Sequence, residues 1–449
     1  MKLQKNQELK VEIIDLTYEG KGVAKIDNYP LFIENALPGE QVTVKILKVN
    51  KHYGFAKVLE YHKYSPNRRK IDNQNYLQTG IAPLQHLDYH EQLKFKRQQV
   101  INSLQKFGLE TKVALTTGMD NFKHYRNKAQ IPVRKIDGKL VTGFYKQKSH
   151  QFIPMTNFYL HEQGMDETLA IVTSILNRYQ VSAYDEESHQ GVLRHIIIRQ
   201  GHYSKEQMVI LVTRKKKLFK GQQIAEEIMK QCPNVVSVIQ NVNSEKTNVI
   251  LGPINNTLAG QNYLTDNMLK HQFEIAAPAF YQVNTEQAEK LYQKAIELSE
   301  LQNDDVVVDA YCGIGTITLS LAPYVKHVYG VEVVPEAIEN AQHNAQLNDI
   351  SNVSFVAAKA EEQIVKWQKE INPRVIFVDP PRKGLAPEFI ATLQEIAPEK
   401  IVYISCNPAT FARDIAKLSN QYHLSEVYPF DLFPETTHVE CVAMLERID

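Results

Sequence analysis

Residues 304–322 read DDVVVDAYCGIGTITLSLA. A run of valines closing on Asp309-Ala310 has the look of a buried strand. Gly313 and Gly315 follow it, and TITLSLA then resumes as an apolar helix. Outward from this stretch the same texture continues. QAEKLYQKAIELS precedes it, and VYGVEV, EAIENAQHNAQLN, VSFVAA, VIFVDPP, FIATLQEIA and KIVYISC follow. Fully apolar strands alternating with helices predict a parallel sheet covered on both faces, an α/β domain. Ligands of such sheets bind at the carboxyl ends of the strands, so the residues just past each strand are the ones to read for chemistry.

Past the first strand stand Gly313 and Gly315, which let the backbone approach a ligand closely at a helix start that carries partial positive charge. The next strand ends on Glu332, an acid where a ribose diol can be gripped. Together they favour an adenosyl-type cofactor, and the chain has no GKS or GKT phosphate loop for a nucleoside triphosphate. A later strand runs into Asp379-Pro380-Pro381-Arg382, whose prolines fix a rigid turn that presents Asp379 at the sheet edge. Cys406 follows the strand after that, in IVYISCNPAT. Turn amides and a helix start beside it would lower its thiol pKa and suit a nucleophile; a small packing residue is the plain alternative.

The front of the chain is different. Residues 1–60 hold five β-patterned runs, LKVEIIDLT, VAKID, PLFIENALPGE, VTVKILKVN and FAKVLEY, with Gly20, Gly22, Pro38, Gly39 and Gly54 at the bends, which predicts a small β-barrel. Lys45, Lys48, Lys51, His52, Tyr53, Phe55 and Lys57 mix basic and aromatic groups, suited to phosphate contact with base stacking or to a solvated basic face. Residues 61–85 read as a connector. A helix is expected near 88–107, ending at Gly108 and able to pack on the rear domain. Residues 122–260 read as an antiparallel sheet (NKAQIPVRKI, KLVTGFYKQKS, VLRHIIIRQ, QMVILVTRK, VVSVIQNVN, NVILG) with helices near 166–179 and 220–231. Its Arg214-Lys-Lys-Lys217 run is either a charged guard against aggregation or an RNA contact. The division expected is 1–60, 61–260 and 261–449.

Fifty-one basic and fifty-one acidic side chains cancel over 449 residues, a balance that at face value excludes a polyanionic partner. The cancellation is between halves. Residues 1–160 hold 26 basic and 14 acidic residues, leaving 25 and 37 behind, so a basic binding module precedes something else. No apolar run approaches the ~18 residues of a membrane span, and MKLQKNQELK lacks the apolar core of a secretory signal. A cytoplasmic chain is expected. Cys232, Cys312, Cys406 and Cys441 are too far apart for a short-spaced metal motif.

In order, PAFYQVN (278–284), DAYCGIGT (309–316), FVDPPRKG (377–384), VYISCNPAT (402–410) and PETTHVECV (434–442) make the chain resemble the RNA uracil-5-methyltransferases, the family of the tRNA and 23S rRNA 5-methyluridine enzymes. The resemblance covers essentially the whole chain. It implies a Rossmann-like class I methyltransferase domain, a TRAM-like (OB-like) barrel in front and a central α+β RNA-binding domain. It also implies S-adenosyl-L-methionine as cofactor and Gln282, Tyr311, Glu332 and Asp379 as contacts to it or to the target base. Cys406 would be the nucleophile and Glu440 the general base, with burial in HVECV raising the carboxyl pKa. Cys441 and Cys312 would then be packing residues. The TRAM-like domain points to 23S rRNA, with tRNA as the alternative, a non-enzymatic RNA-binding protein as a remoter one, and a monomer expected.

Two departures accompany the resemblance. Many relatives carry iron–sulfur cysteines before a Leu-Gln-His-Leu segment; Leu84-Gln85-His86-Leu87 is here, but residues 60–83 contain no cysteine. No iron–sulfur cluster or other metal is expected, since ligation needs the thiols. Lys359 stands where an acid would meet the adenine amino group, with Glu361 as a substitute.

Overall fold

The structure, a computed structural model, describes residues 3–71 and 73–448. Met1, Lys2, Asp72 and Asp449, among them the outer limits of the expected division, lie outside the described residues.

The valine strand is Val306–Ala310. It pairs in parallel with His327–Glu332 on one side and Val375–Val378 on the other. Val353–Ala357 extends the first side and Lys400–Ser405 the second, both in parallel. Glu440–Arg447 then adds antiparallel to Lys400–Ser405 and carries Tyr422–Leu424 and Tyr428–Phe430 antiparallel to itself. The chain therefore winds outward from Val306–Ala310, returns, and restarts at Val375. Loops at that reversal diverge to opposite faces and open a crevice over the strand ends.

Alternation along these strands feeds two cores. Val307, Val375, Phe377, Val402 and Ile404 face one way and pack with Leu291 and Leu319. Val308, Ile376, Val378, Ile401 and Tyr403 face the other and pack with Phe389, Phe411 and Ile415. Each fully buried aliphatic contributes about 1.5–3 kcal/mol over its exposed state. The helices Pro335–Leu347, Pro387–Ile396 and Pro408–Leu418 each begin on a proline, whose missing N–H costs nothing at that position.

In the N-terminal unit the first run splits into Glu8–Glu12 and Asp15–Leu16, giving a six-stranded sheet instead of five strands. These two strands are its opposite edges, yet only Ile13 and Ile14 separate them in the chain. The sheet must therefore roll until its edges approach, although no ladder joins them among the described residues. The last strand, Gly54–Lys63, runs past the expected limit, and the connector holds a short helix, Gln74–Thr79.

The central unit is a seven-stranded sheet with Met165–Arg178 and Gly221–Gln231 packed on it. It is not wholly antiparallel. Gln207–Thr213 and Val235–Val242 are parallel because Gly221–Gln231 carries the chain back over the sheet between them. NVILG is not a strand; the edge is Ile254–Gly260, followed by a separate hairpin, Tyr263–Met268 with His271–Ala276. Ile197, Met208, Ile210 and Val212 of the central sheet share one core with that hairpin and with Val307 and Phe377 of the rear sheet. The helix Tyr89–Lys106 places Val100 and Leu104 in the other rear core, and its fully buried Lys96 pairs with fully buried Asp431.

Candidate active site

A cavity of about 1760 Å³ lies over the strand ends at the reversal. Gln282, Tyr311, Gly313, Glu332, Asp379, Cys406 and Glu440 all line it. Gly315 does not. It caps the helix Thr316–Leu321 at φ 89°, and a Cβ there would stand 3.4 Å from both Ala341 and Phe355, so its smallness serves helix-to-sheet packing. Gly313, at φ 54°, has open space where a Cβ would project. Tyr311 also holds a positive φ, 76°, strain of the kind fixed only where surrounding contacts over-determine it; its N–H bonds the Val331 carbonyl at 2.9 Å and its ring packs on Phe389.

Cys406 and Glu440 meet through strand register. Ile404 opposes Val442 and Ser405 opposes Cys441 in the antiparallel ladder, so Cys406 and Glu440 stand together just past its last pair, and both line the cavity. Directly opposed residues share a face at about 4.5–5.5 Å between Cβ atoms. By the same alternation Cys441 turns into the core, where it is fully buried with its thiol toward the Ser405 carbonyl. Cys312, in the turn after Val306–Ala310, is buried beside Gly330, and burial holds its thiol well above the ordinary range.

The turn carrying Asp379 is laced to the one carrying Cys406. Asn407 Nδ2 donates to the Arg382 carbonyl at 3.1 Å and Arg413 to that of Lys383 at 2.9 Å. Asp414, fully buried, accepts from Leu385 N–H and Tyr403 O–H, each at 2.8 Å.

The electrostatics correct one expectation. The Cys406 thiol is not lowered; burial, then the neighbouring Glu440 and Asp379 carboxylates, push it up to about 12. The helix start cannot offset them, because Asn407 caps it and takes the Ala409 N–H at 3.1 Å. Burial and then Asp379 push Glu440 up to about 8. Burial and then Asp309 push Asp379 up to about 7. Asp309, fully buried, goes up to about 7 through burial, although Thr318 donates to its Oδ2 at 2.6 Å. Its Oδ1 is buried with no partner. Sequence reading passed over Asp309; an acid closing a run of buried valines was the available signal.

This donor set fits a cationic adenosyl cofactor. The orphaned Asp309 oxygen and the raised Asp379 leave the crevice short of positive charge. Glu332 is fixed by the Val333 and Val334 N–H groups at 2.7 and 3.1 Å. Lys359 lines the cavity but pairs with Glu362 at 3.0 Å, and Glu361 lines it too. Gln282 is held by its Nε2, which donates to the Tyr292 hydroxyl oxygen at 3.2 Å, and by its backbone carbonyl, which accepts from Asn127 Nδ2 at 2.9 Å. Other modules complete the walls, with Tyr18 and Lys21 from a turn of the N-terminal unit and Tyr125, Arg126 and Phe158 from the central unit. Among the described residues no three His, Cys, Asp or Glu side chains are grouped to hold a metal ion, and no helix is long and apolar enough to cross a membrane.

A parallel sheet with one appended antiparallel strand, and a crevice at its reversal edged by glycine, acids and a cysteine, defines a Rossmann-like methyltransferase domain. Residues 88–448 match the tRNA (uracil-5-)-methyltransferase family and residues 2–59 the TRAM domain. The chain belongs to that family of RNA methyltransferases. An RNA methyltransferase of Lactiplantibacillus plantarum is 51% identical over 99% of this chain and 98% of its own; one of Enterococcus faecalis is 49% identical over the same shares. Among solved structures, the Pyrococcus abyssi tRNA (uracil-54, C5)-methyltransferase in complex with S-adenosyl-L-homocysteine superposes at TM-score 0.78 with 26% identity, covering 97% of this chain and 100% of that one.

Proposed function

We propose that this chain methylates carbon 5 of a uridine in RNA with S-adenosylmethionine, using Cys406 as nucleophile and Glu440 as general base. The observation that carries the reading is the cavity that brings Cys406 and Glu440 together with Asp379 and Glu332, the first two lying one step past the last ladder pair, Ser405 and Cys441. When bound, S-adenosylmethionine supplies an electrophilic methyl group. Glu332 would hold its ribose, Gly313 would admit it to the backbone, and Asp309 and Asp379 would meet its positive charge; Tyr311 and Gln282 would complete the contacts to cofactor or base.

The protein's own groups perform the rest. Addition of the Cys406 sulfur to carbon 6 of uracil makes carbon 5 nucleophilic, which the free ring is not. Since the thiol stands near 12 in the free protein, its proton passes to solvent water as attack proceeds, leaving Glu440 free for the later proton. Once carbon 5 is methylated, Glu440 takes the carbon-5 proton and the sulfur departs, restoring the ring. A base near 8 suits that work close to neutral pH.

We take 23S rRNA as the target, a reading supported by the presence of a TRAM domain at residues 2–59. A second reading, tRNA, is favoured by the family description and by the archaeal neighbour's substrate. The chain is taken to act as a monomer in the cytoplasm. Replacing Cys406 by Ala should abolish methyl transfer to uridine-containing RNA and leave RNA affinity within about twofold; retained transfer overturns the mechanism. Mapping 5-methyluridine in rRNA and tRNA from a deletion strain decides the target, with loss from tRNA alone reversing the assignment.

A further inference from the structure

A second cavity, of about 840 Å³, opens on the central sheet, lined by Arg134, Tyr145, Tyr184, Arg194, His195 and Lys246 among others. It adjoins the first along shared strands. Gln130 lines the first cavity and Pro132 and Arg134 the second. Alternate residues of a strand share a face, and two residues span about 7 Å. Ile250 of the first cavity is the chain neighbour of Val249 of the second. Ile197 opposes Gln130 and His195 opposes Pro132. The catalytic core covers this face at Ile197, so the second cavity is the stretch of the same face beyond that cover.

Its walls suit a nucleobase. Arg194, only 6% exposed, spends its terminal nitrogens on the carbonyls of Asn243, Glu245 and Thr247 at 2.9, 2.6 and 2.9 Å. Its guanidinium lies 4.7 Å from the Tyr184 ring centre. The Nε of Arg194 and the Nδ1 of His195 are both buried without a partner, an arrangement that is costly unless something supplies the missing bond. Arg134 lies 5.3 Å from the Tyr145 ring centre, and guanidinium planes and aromatic rings are the surfaces on which unstacked RNA bases rest. Glu186, 3.4 Å from Arg134 and also in the lining, disfavours a phosphate in the interior. Lys246, in the exposed loop 244–249 at the rim, offers a contact to a backbone phosphate outside.

We propose that this second cavity takes one unstacked base from the RNA strand that carries the target uridine, resting on Tyr145 and Arg134 and turning an acceptor atom to Arg194 and His195. It acts as a specificity subsite beside the catalytic cavity, and it rests on the RNA-modifying reading above.

The test titrates the full-length protein with uridine-containing oligoribonucleotides in which an abasic residue is moved through each flanking position. With wild type, one flanking abasic position should weaken binding about tenfold, the worth of one base stack. Tyr145→Ala should weaken binding of the intact RNA by a similar factor and no longer discriminate that position. Lys246→Glu, in an exposed loop that leaves folding undisturbed, should weaken binding and flatten its salt dependence. Equal affinity across all abasic positions, or wild-type binding by both variants, overturns the subsite. If wild type neither binds nor methylates any of these RNAs, the RNA-modifying reading falls with it; methylation by wild type with no positional effect overturns the subsite alone.

Discussion

Replacing Glu440 by Gln separates the two halves of the proposed chemistry. In wild type the Cys406 thiol stands near 12, so about one molecule in 10⁵ carries a thiolate at pH 7. Glu440 is the larger of the two carboxylate contributions to that rise, behind burial itself. Glu440 itself stands near 8, so its neutral isostere removes the repulsion that the ionised acid exerts from about pH 8 upward, and there each unit by which the thiol falls gives tenfold more thiolate. Addition to carbon 6 should therefore proceed at least as fast as in wild type. Proton removal from carbon 5, however, loses its base, a loss of about 10²–10⁴-fold. The variant should accumulate a methylated protein–RNA adduct, seen as a denaturation-resistant band on a gel, while product release falls by that factor. The adduct should disappear in the Cys406→Ala, Glu440→Gln double variant. Turnover at the wild-type rate, or a failure to form any adduct while RNA binding is intact, would refute the assignment of Glu440 as base.

Burial raises Asp309, Asp379 and Glu440 above their unfolded values, so the folded state binds more protons than the unfolded one between about pH 4 and 8. Their contribution to stability is present below pH 4 and lost as pH rises through about 7 to 8; Asp309→Asn should raise Tm at pH 8 relative to wild type and weaken S-adenosylmethionine binding, read by calorimetry. Lys96→Met leaves the buried Asp431 carboxylate with Tyr89 O–H, at 2.9 Å, as its remaining side-chain donor among the described residues, and should cost about 3–5 kcal/mol in urea unfolding, partly recovered by Asp431→Asn in the same chain. Glu435, fully buried at φ 67°, accepts from Arg69, Gln92 and Tyr159 at 3.0, 3.1 and 3.0 Å and so ties connector, helix and central sheet to the loop before Glu440. Glu435→Ala should cost about 3–5 kcal/mol and lower methyl transfer more than RNA affinity, measured by filter binding beside a turnover assay. RNA affinity should fall steeply with salt, and Lys148→Ala at the cavity wall should reduce the slope of log K against log salt by about 0.7–0.9.

Elements whose signal is local were legible. The valine strand, the proline-led helices and the helices of the central unit follow from short-range periodicity, and the acids and cysteine fell where a parallel sheet exposes its strand ends. What failed was whatever depends on a distant partner. One parallel pair hides in the central sheet because Val235–Val242 has the same pattern whichever way its neighbour runs. The run LKVEIIDLT reads as one strand, yet Ile13 and Ile14 turn it from one sheet edge to the other. The thiol of Cys406 was expected low from its turn and helix start, whereas burial first, then Glu440, 34 residues on, and Asp379, 27 before, push it up.

The sequence by itself determined the class of domain, the strand ends that carry Gly313, Glu332, Asp379 and Cys406, and the charge asymmetry behind a neutral total. These are encoded by neighbours a few residues apart, where backbone sterics and hydrophobic alternation act. Only the tertiary structure decided that Glu440 shares a cavity with Cys406, that one Asp309 oxygen is left without a partner near Asp379, and that Tyr18, Lys21 and Arg126 line the same cavity. Register, desolvation and Coulomb interaction are properties of groups brought together across hundreds of residues, and no local pattern carries them.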